Sequence, residues 1–131
     1  MRKPFIMGNW KMFKTTKEAV AFAEEFKTLF QSSDVQAGVC APFTQLAALK
    51  EAFKGTDVKV GAQNMHFAEN GAYTGEISAD MLNELEIEYC IIGHSERRQY
   101  FNETDETVNQ KLHTAFKHNI IPILCVGEVL E

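Results

Sequence analysis

Five short apolar runs recur along the chain: Phe5–Trp10, Val35–Pro42, Val58–Met65, Glu88–His94 and Ile120–Gly127. They are rich in Val, Ile, Phe and Cys, and Gly, Asn or Pro punctuates their ends. Such runs suit strands buried on both faces of a sheet. Between them the apolar period changes. Thr15 and Glu18 have capping-box spacing, and Ala19, Phe22, Ala23, Phe26 and Phe30 follow as a stripe at helical period. Leu46, Leu49 and Phe53 do the same in the second interval. The third interval holds the polar, glycine-containing "HFAENGAYTGEIS", a long loop, and then a short helix around Asp80–Leu85. In the fourth, Ser95 is placed to N-cap a short helix over Glu96–Phe101. A further helix starts at Thr104, with Val108, Leu112, Ala115 and Phe116 on one face.

The order is therefore β-α-β-α-β-loop-α-β-α-β. Strands alternating with helices predict right-handed crossovers and a parallel sheet. A doubly wound flavodoxin-like sheet and part of a (β/α)₈ barrel both fit. No G-x-G-x-x-G follows the first strand, where a dinucleotide fold would need it; "MGNWKM" stands there instead. Polar residues gather at the C-terminal ends of strands: Asn9 and Lys11, Gln63 and Asn64, His94, and Glu128. Barrel enzymes place their chemistry at those ends, which favours the barrel. The predicted fold class is α/β, a partial (β/α)₈ barrel with about five parallel strands and four to five helices, and residues 1–131 have no internal domain boundary. A complete barrel takes eight strands and ~250 residues, so the chain is expected to be the N-terminal part of one.

Composition narrows the function. A net charge of -5 over 131 residues argues against general nucleic-acid or anionic-membrane binding. A phosphate site stays open, because one lysine and a few backbone N–H groups suffice for it. Cys40, Cys90 and Cys125 are an odd number, each in an apolar run without C-x-x-C, as in reduced thiols of a cytoplasmic protein. The N-terminal apolar run is too short for a signal peptide, and no stretch reaches the ~20 apolar residues of a membrane span.

Asn9 and Lys11 are two apart after the first strand, so an amide and an ammonium fall on one side. Together they suit a phosphate or a developing oxyanion; solvated loop residues are the plainer alternative. His94 would sit at the N-terminus of the short helix, whose dipole disfavours imidazolium. It is expected to be neutral and to act as a hydrogen-bond donor, unless it is an ordinary satisfied histidine at a strand end. His66, His113 and His118 read as structural or solvated. In "SERRQYF", Glu96 either belongs to a surface ion-pair helix or reaches back to Lys11; spacing leaves both open. His66, His94 and Glu128 can be assembled into a metal site on paper. No ligand spacing supports it, however, and Lys11 occupies the place where barrel hydrolases carry a histidine ligand, so no metal is expected.

Taken together, "GNWKM" (Gly8–Met12), "GAQNM" (Gly61–Met65), "GAYTGEIS" (Gly71–Ser78), "YCIIGHSERR" (Tyr89–Arg98) and "CVGE" (Cys125–Glu128) resemble the triosephosphate isomerase family, in order and over the whole chain. The resemblance implies interconversion of dihydroxyacetone phosphate and glyceraldehyde 3-phosphate through an enediolate, in glycolysis and gluconeogenesis, without a cofactor. It implies substrate binding by Asn9 and Lys11, with Lys11 countering charge. It makes His94 the catalytic electrophile; its neutrality at a helix N-terminus is already known for this family. Glu96 and Ser95 would be support residues. The long loop, with Thr74 and Gly75 at its tip, would enter the partner subunit of a homodimer. The family's general base follows a sixth strand, and its phosphate cradle follows strands seven and eight, outside these 131 residues. The chain by itself is thus expected to be inactive. The alternative is a free-standing half barrel that self-associates through open edges at its first and fifth strands. A metal hydrolase or aldolase barrel is disfavoured by the lack of H-x-H after strand one and of a Schiff-base setting around Lys11.

Overall fold

The computed structural model describes residues 3–30 and 34–127. One sheet of five parallel strands runs in the order β1 (Phe5–Asn9), β2 (Gln36–Ala41), β3 (Lys59–Ala62), β4 (Tyr89–Ile92) and β5 (Ile121–Leu124). Five helices lie between them: α1 (Thr16–Leu29), α2 (Phe43–Ala52), α3 (Ala79–Glu84), α4 (Ser95–Tyr100) and α5 (Asp105–Lys117). Sequential neighbours pair throughout, as in a barrel wall. A doubly wound sheet would reverse its strand order at a switch point.

Local signals set the helix starts. Thr15 and Glu18 form the full capping box at α1, and Thr104 and Thr107 form the equivalent reciprocal pair at α5. Ser78 caps α3 by accepting from the Met81 N–H. At α4 the sequence expectation needs correction. The N-cap is His94 and not Ser95: the His94 Nδ1 accepts the Glu96 N–H at 3.1 Å, and Ser95 is an exposed first helical residue. The helix accordingly begins one residue earlier than predicted. An imidazole nitrogen can accept the orphan N–H that a serine oxygen usually takes.

The core lies between the helices and one face of β2–β4. Leu46, Leu49, Met65, Leu82, Ile87, Ile92 and Ile120 are its largest fully buried side chains. Ala19 and Ala23 bring α1 close, while Phe22, Phe26 and Phe30 stack along it with successive ring centroids 5.5 and 5.3 Å apart. The expectation of strands buried on both faces holds for β4 and most of β2 and β3, and fails for the edges. Ile6 of β1 is 63 % exposed and Ile121 of β5 is 50 % exposed, because neither strand has an outer neighbour among the described residues. Phe116, predicted on the inner face of α5, is also exposed; Lys111 takes the inner position. Among the described residues no helix is long and apolar enough to cross a membrane.

Candidate active site

The C-terminal strand ends open on a cavity of about 290 Å³, lined by Asn9, Lys11, Gln63, Asn64, His94 and Glu96 among others. Four of the residues singled out in the sequence, Asn9, Lys11, His94 and Glu96, thus share one space. The register explains part of this: Asn9 is level with Cys40, and Ala41 with Ala62, so Gln63 emerges one step beyond.

Gln63 holds the Lys11 corner. Its Nε2 lies 3.1 Å from Asn9 Oδ1, 2.9 Å from the Lys11 carbonyl and 3.3 Å from the Cys40 carbonyl. Asn9 Oδ1 also accepts the Lys11 N–H at 3.0 Å. With Oδ1 engaged twice, the amide nitrogen is what Asn9 can offer a ligand. Lys11 is held with φ at 56°, a left-handed conformation that a residue with a Cβ rarely adopts. Its Nζ lies 2.8 Å from Glu96 Oε1. The reach of Glu96 back to Lys11, left open by spacing, is what the structure contains. The Lys11 hydrogen bond holds the Glu96 carboxyl below its ordinary value.

His94 follows β4 through Gly93, whose φ of 79° turns the chain from strand to helix. A Cβ at Gly93 would also press on Val108 at 3.1 Å and on the Arg98 guanidinium at 3.2 Å. The His94 Nδ1 accepts a backbone N–H and so carries no proton. Glu96 Oε2 is 3.6 Å from the same nitrogen, too far for a hydrogen bond and with no donor between them. An accepting Nδ1 leaves Nε2 as the ring nitrogen able to donate at the cavity wall.

Behind this corner lies a buried polar network that sequence reading missed. Glu103 is 8 % exposed and Lys111 is 5 % exposed. Glu103 Oε1 accepts the Gly93 N–H at 3.1 Å. Its Oε2 accepts from Arg97 Nε at 2.8 Å and from Lys111 Nζ at 2.9 Å. Lys111 Nζ also donates to Asn64 Oδ1 at 2.8 Å. Burial raises the Glu103 carboxyl, and the two cationic hydrogen bonds outweigh it, so the group stays below its ordinary value. One signal was legible: Lys111 stands at helical spacing among Val108, Leu112 and Ala115, where a lysine needs a buried partner.

The remaining candidates fall elsewhere. Thr74 and Gly75 sit at the exposed tip of the long loop, in a turn closed by the Glu76 N–H to the Tyr73 carbonyl at 2.9 Å. They are not part of the cavity lining. Ser95 faces solvent and is not among the cavity residues. Arg98 pairs with Asp105 and the Gly93 carbonyl, so the two arginines of "SERRQYF" serve structure. His66 stacks on Phe67 and Tyr73, each with ring centroids 4.4 Å apart. The three cysteines are free, and burial pushes Cys40 up to about 12 and Cys90 higher, which removes both as nucleophiles. Among the described residues no three His, Cys, Asp or Glu side chains converge as metal ligands. Glu128 lies outside the described residues.

The family model described as triosephosphate isomerase matches residues 4–131. The triosephosphate isomerase of Clostridium botulinum (strain Loch Maree / Type A3) is 60% identical over 131 residues. That of Clostridium perfringens (strain SM101 / Type A) is 58% identical and that of Alkaliphilus oremlandii (strain OhILAs) 57% identical over the same length. Each match takes in 100% of this chain and 53% of the relative, so the chain spans about half the length of the curated relatives it matches.

Proposed function

The chain belongs to the triosephosphate isomerase family, and from that premise we propose that it supplies the electrophilic half of a cytoplasmic, cofactor-free aldose–ketose isomerase site. The substrates are dihydroxyacetone phosphate and glyceraldehyde 3-phosphate, exchanged through an enediolate in glycolysis and gluconeogenesis. The single observation that carries the reading is the pairing of a neutral Nε2–H donor on His94 with the ammonium of Lys11 across one cavity. A donor that needs no reorganisation polarises the carbonyl, and a fixed cation stabilises the negative charge that develops on its oxygen. Asn9 offers its amide nitrogen to the same ligand. Glu96 keeps Lys11 placed through its 2.8 Å ion pair. Thr74 and Gly75 serve a subunit contact of a homodimer.

Deprotonation at carbon needs a positioned base, and no carboxylate of these 131 residues matches the family's. Glu96 is occupied by Lys11. The 131-residue chain alone is therefore inactive, and mixing it with a polypeptide carrying the other half of a related barrel restores turnover that His94→Gln lowers by about 10²–10⁴-fold. Turnover by the unmixed chain, lost on His94→Gln, overturns the proposal. So does restored turnover that is indifferent to that substitution.

A second reading, a self-associating half barrel, is favoured by the apolar side chains left in solvent along the edges and strand ends. Ile6, Met12, Phe13, Leu124 and Val126 are all exposed. Unpaired sheet edges and contiguous apolar surface promote association. A stable, cooperatively unfolding monomer in sedimentation experiments overturns it.

A further inference from the structure

The long loop between β3 and α3 is fastened near its start to α5 and its C-cap. The Thr114 hydroxyl of α5 donates to the Phe67 carbonyl at 2.7 Å. Lys117 Nζ lies 2.8 Å from Glu69 Oε1. His118, the residue capping the C-terminus of α5, stands between two carboxylates on different elements. Its Nε2 is 2.5 Å from Glu69 Oε2 in the loop, and its Nδ1 is 3.4 Å from Asp80 Oδ1 in the first turn of α3. The ring is 16 % exposed, and the Asn83 side chain donates to the His118 carbonyl at 3.1 Å, which fixes its position from α3.

A neutral imidazole has one N–H and can serve only one of these carboxylates; imidazolium serves both. We propose that His118 is a proton-dependent latch that ties the 66–77 loop to α3. With both nitrogens protonated it bridges Glu69 and Asp80. On losing a proton it keeps the shorter Glu69 contact and releases Asp80. Three features make Asp80 the arm that opens. Its distance is the longer, its side chain is 75 % exposed and readily hydrated, and Glu69 has Lys117 as a second partner. The other charged groups near the ring are Lys50 of α2 and Glu86 and Glu88 before β4. They share with it an open hollow of about 500 Å³ and leave the ring in a net acidic setting.

Amide hydrogen exchange of the 131-residue chain between about pH 5 and pH 8, corrected for intrinsic rates, tests the latch. Protection of amides in 76–84 is expected to fall about three- to tenfold as pH rises, the size of effect a half-buried ion pair supports. The midpoint should coincide with that of the His118 ring nitrogens followed by NMR. His118→Gln, with its donors on a single nitrogen and no charge, should show the low protection at both pH values. Asp80→Ala should remove the pH dependence while leaving protection around Glu69 intact. A flat wild-type profile overturns the proposal. So does a transition that survives His118→Gln, and so does a His118 ring that holds a single proton across the range.

Discussion

Lys11 and His94 face the same cavity from strands of different kinds. Lys11 follows β1, an edge strand with β2 as its one neighbour, and its immediate surroundings are exposed. His94 follows β4, whose four residues are all buried between β3 and β5. The His94 corner is fixed from behind: one buried carboxylate, Glu103, grips the Gly93 N–H, Arg97 and Lys111 at once. The Lys11 corner is fixed from the side, by the Gln63 amide on the backbone and by Glu96 on the ammonium. A buried anchor resists displacement because its partners cannot turn to water. A lateral clamp on an exposed segment holds geometry without adding much stability. The two corners of this cavity therefore differ in how strongly mutation should disturb the fold and how strongly a bound ligand.

The largest effect is expected at Glu103. Glu103→Ala leaves Lys111, 5 % exposed, and the Arg97 side chain without their carboxylate. Loss of one partner of a buried pair costs ~3–5 kcal/mol, here read as a shift of the urea midpoint at unchanged slope. A loss below ~1 kcal/mol would show that the His94 corner is no more firmly anchored than the other. The same group gives a pH test. Its folded value lies below the ordinary 4.5, so its contribution is full above 4.5 and is lost as pH falls through the folded value. Denaturation curves at pH 7 and near pH 3 should therefore differ less for Glu103→Gln than for the wild type. Equal differences in the two proteins would show that Glu103 carries none of the acid sensitivity.

Gln63→Ala sharpens the comparison at the other corner. Deleting the amide frees the carbonyl of the exposed Lys11, while the Cys40 carbonyl keeps the Trp10 N–H at 3.0 Å, so a loss of about 1 kcal/mol is expected. The larger change should be local. Without the clamp, Lys11 should leave its left-handed φ, and its ¹³Cα chemical shift should move toward ordinary β values. An unmoved Lys11 shift would assign the conformation to Asn9 alone.

These corners were unequally legible in the sequence. The strand order, the capping box at Thr15 and the helix start at Thr104 followed from period and punctuation, which also put Asn9, Lys11 and His94 at strand ends while leaving solvated or merely structural roles open for them. Those signals are local. Of the Glu103 network only the inward position of Lys111 was legible, because its members come from the turn after β4, from α4, from α5 and from the segment after β3, up to 47 positions apart in the case of Lys111 and Asn64. In sequence Glu103 looks like any acidic residue ahead of a helix. The capping of α4 was misassigned for a related reason. Ser95 has the cap preference, yet the turn at Gly93 puts His94 where the orphan N–H of Glu96 points. The exposure of β1 and β5 could not be read from their composition either, since an apolar run does not report whether a neighbour strand is present.

The smallest effect should also have the opposite sign. Lys11 holds φ at 56°, which costs a residue with a Cβ ~1–2 kcal/mol relative to glycine. Lys11→Gly removes that strain but widens the unfolded ensemble, which costs ~0.4–1 kcal/mol. The lost ion pair with Glu96 joins side chains 49 % and 42 % exposed, so water and salt already screen it. Gln63 grips the backbone carbonyl of residue 11 and keeps its hold in the variant. The balance favours a stability gain of about 0.5 kcal/mol, with turnover of the reconstituted barrel lowered at least ~10²-fold by the missing ammonium. Strain that lowers stability where charge is needed is what a functional position carries. A Lys11→Gly chain that is less stable by ~1 kcal/mol or more would mean that the exposed ion pair stabilises the fold. The contrast between a buried anchor and a lateral clamp would then have to be abandoned.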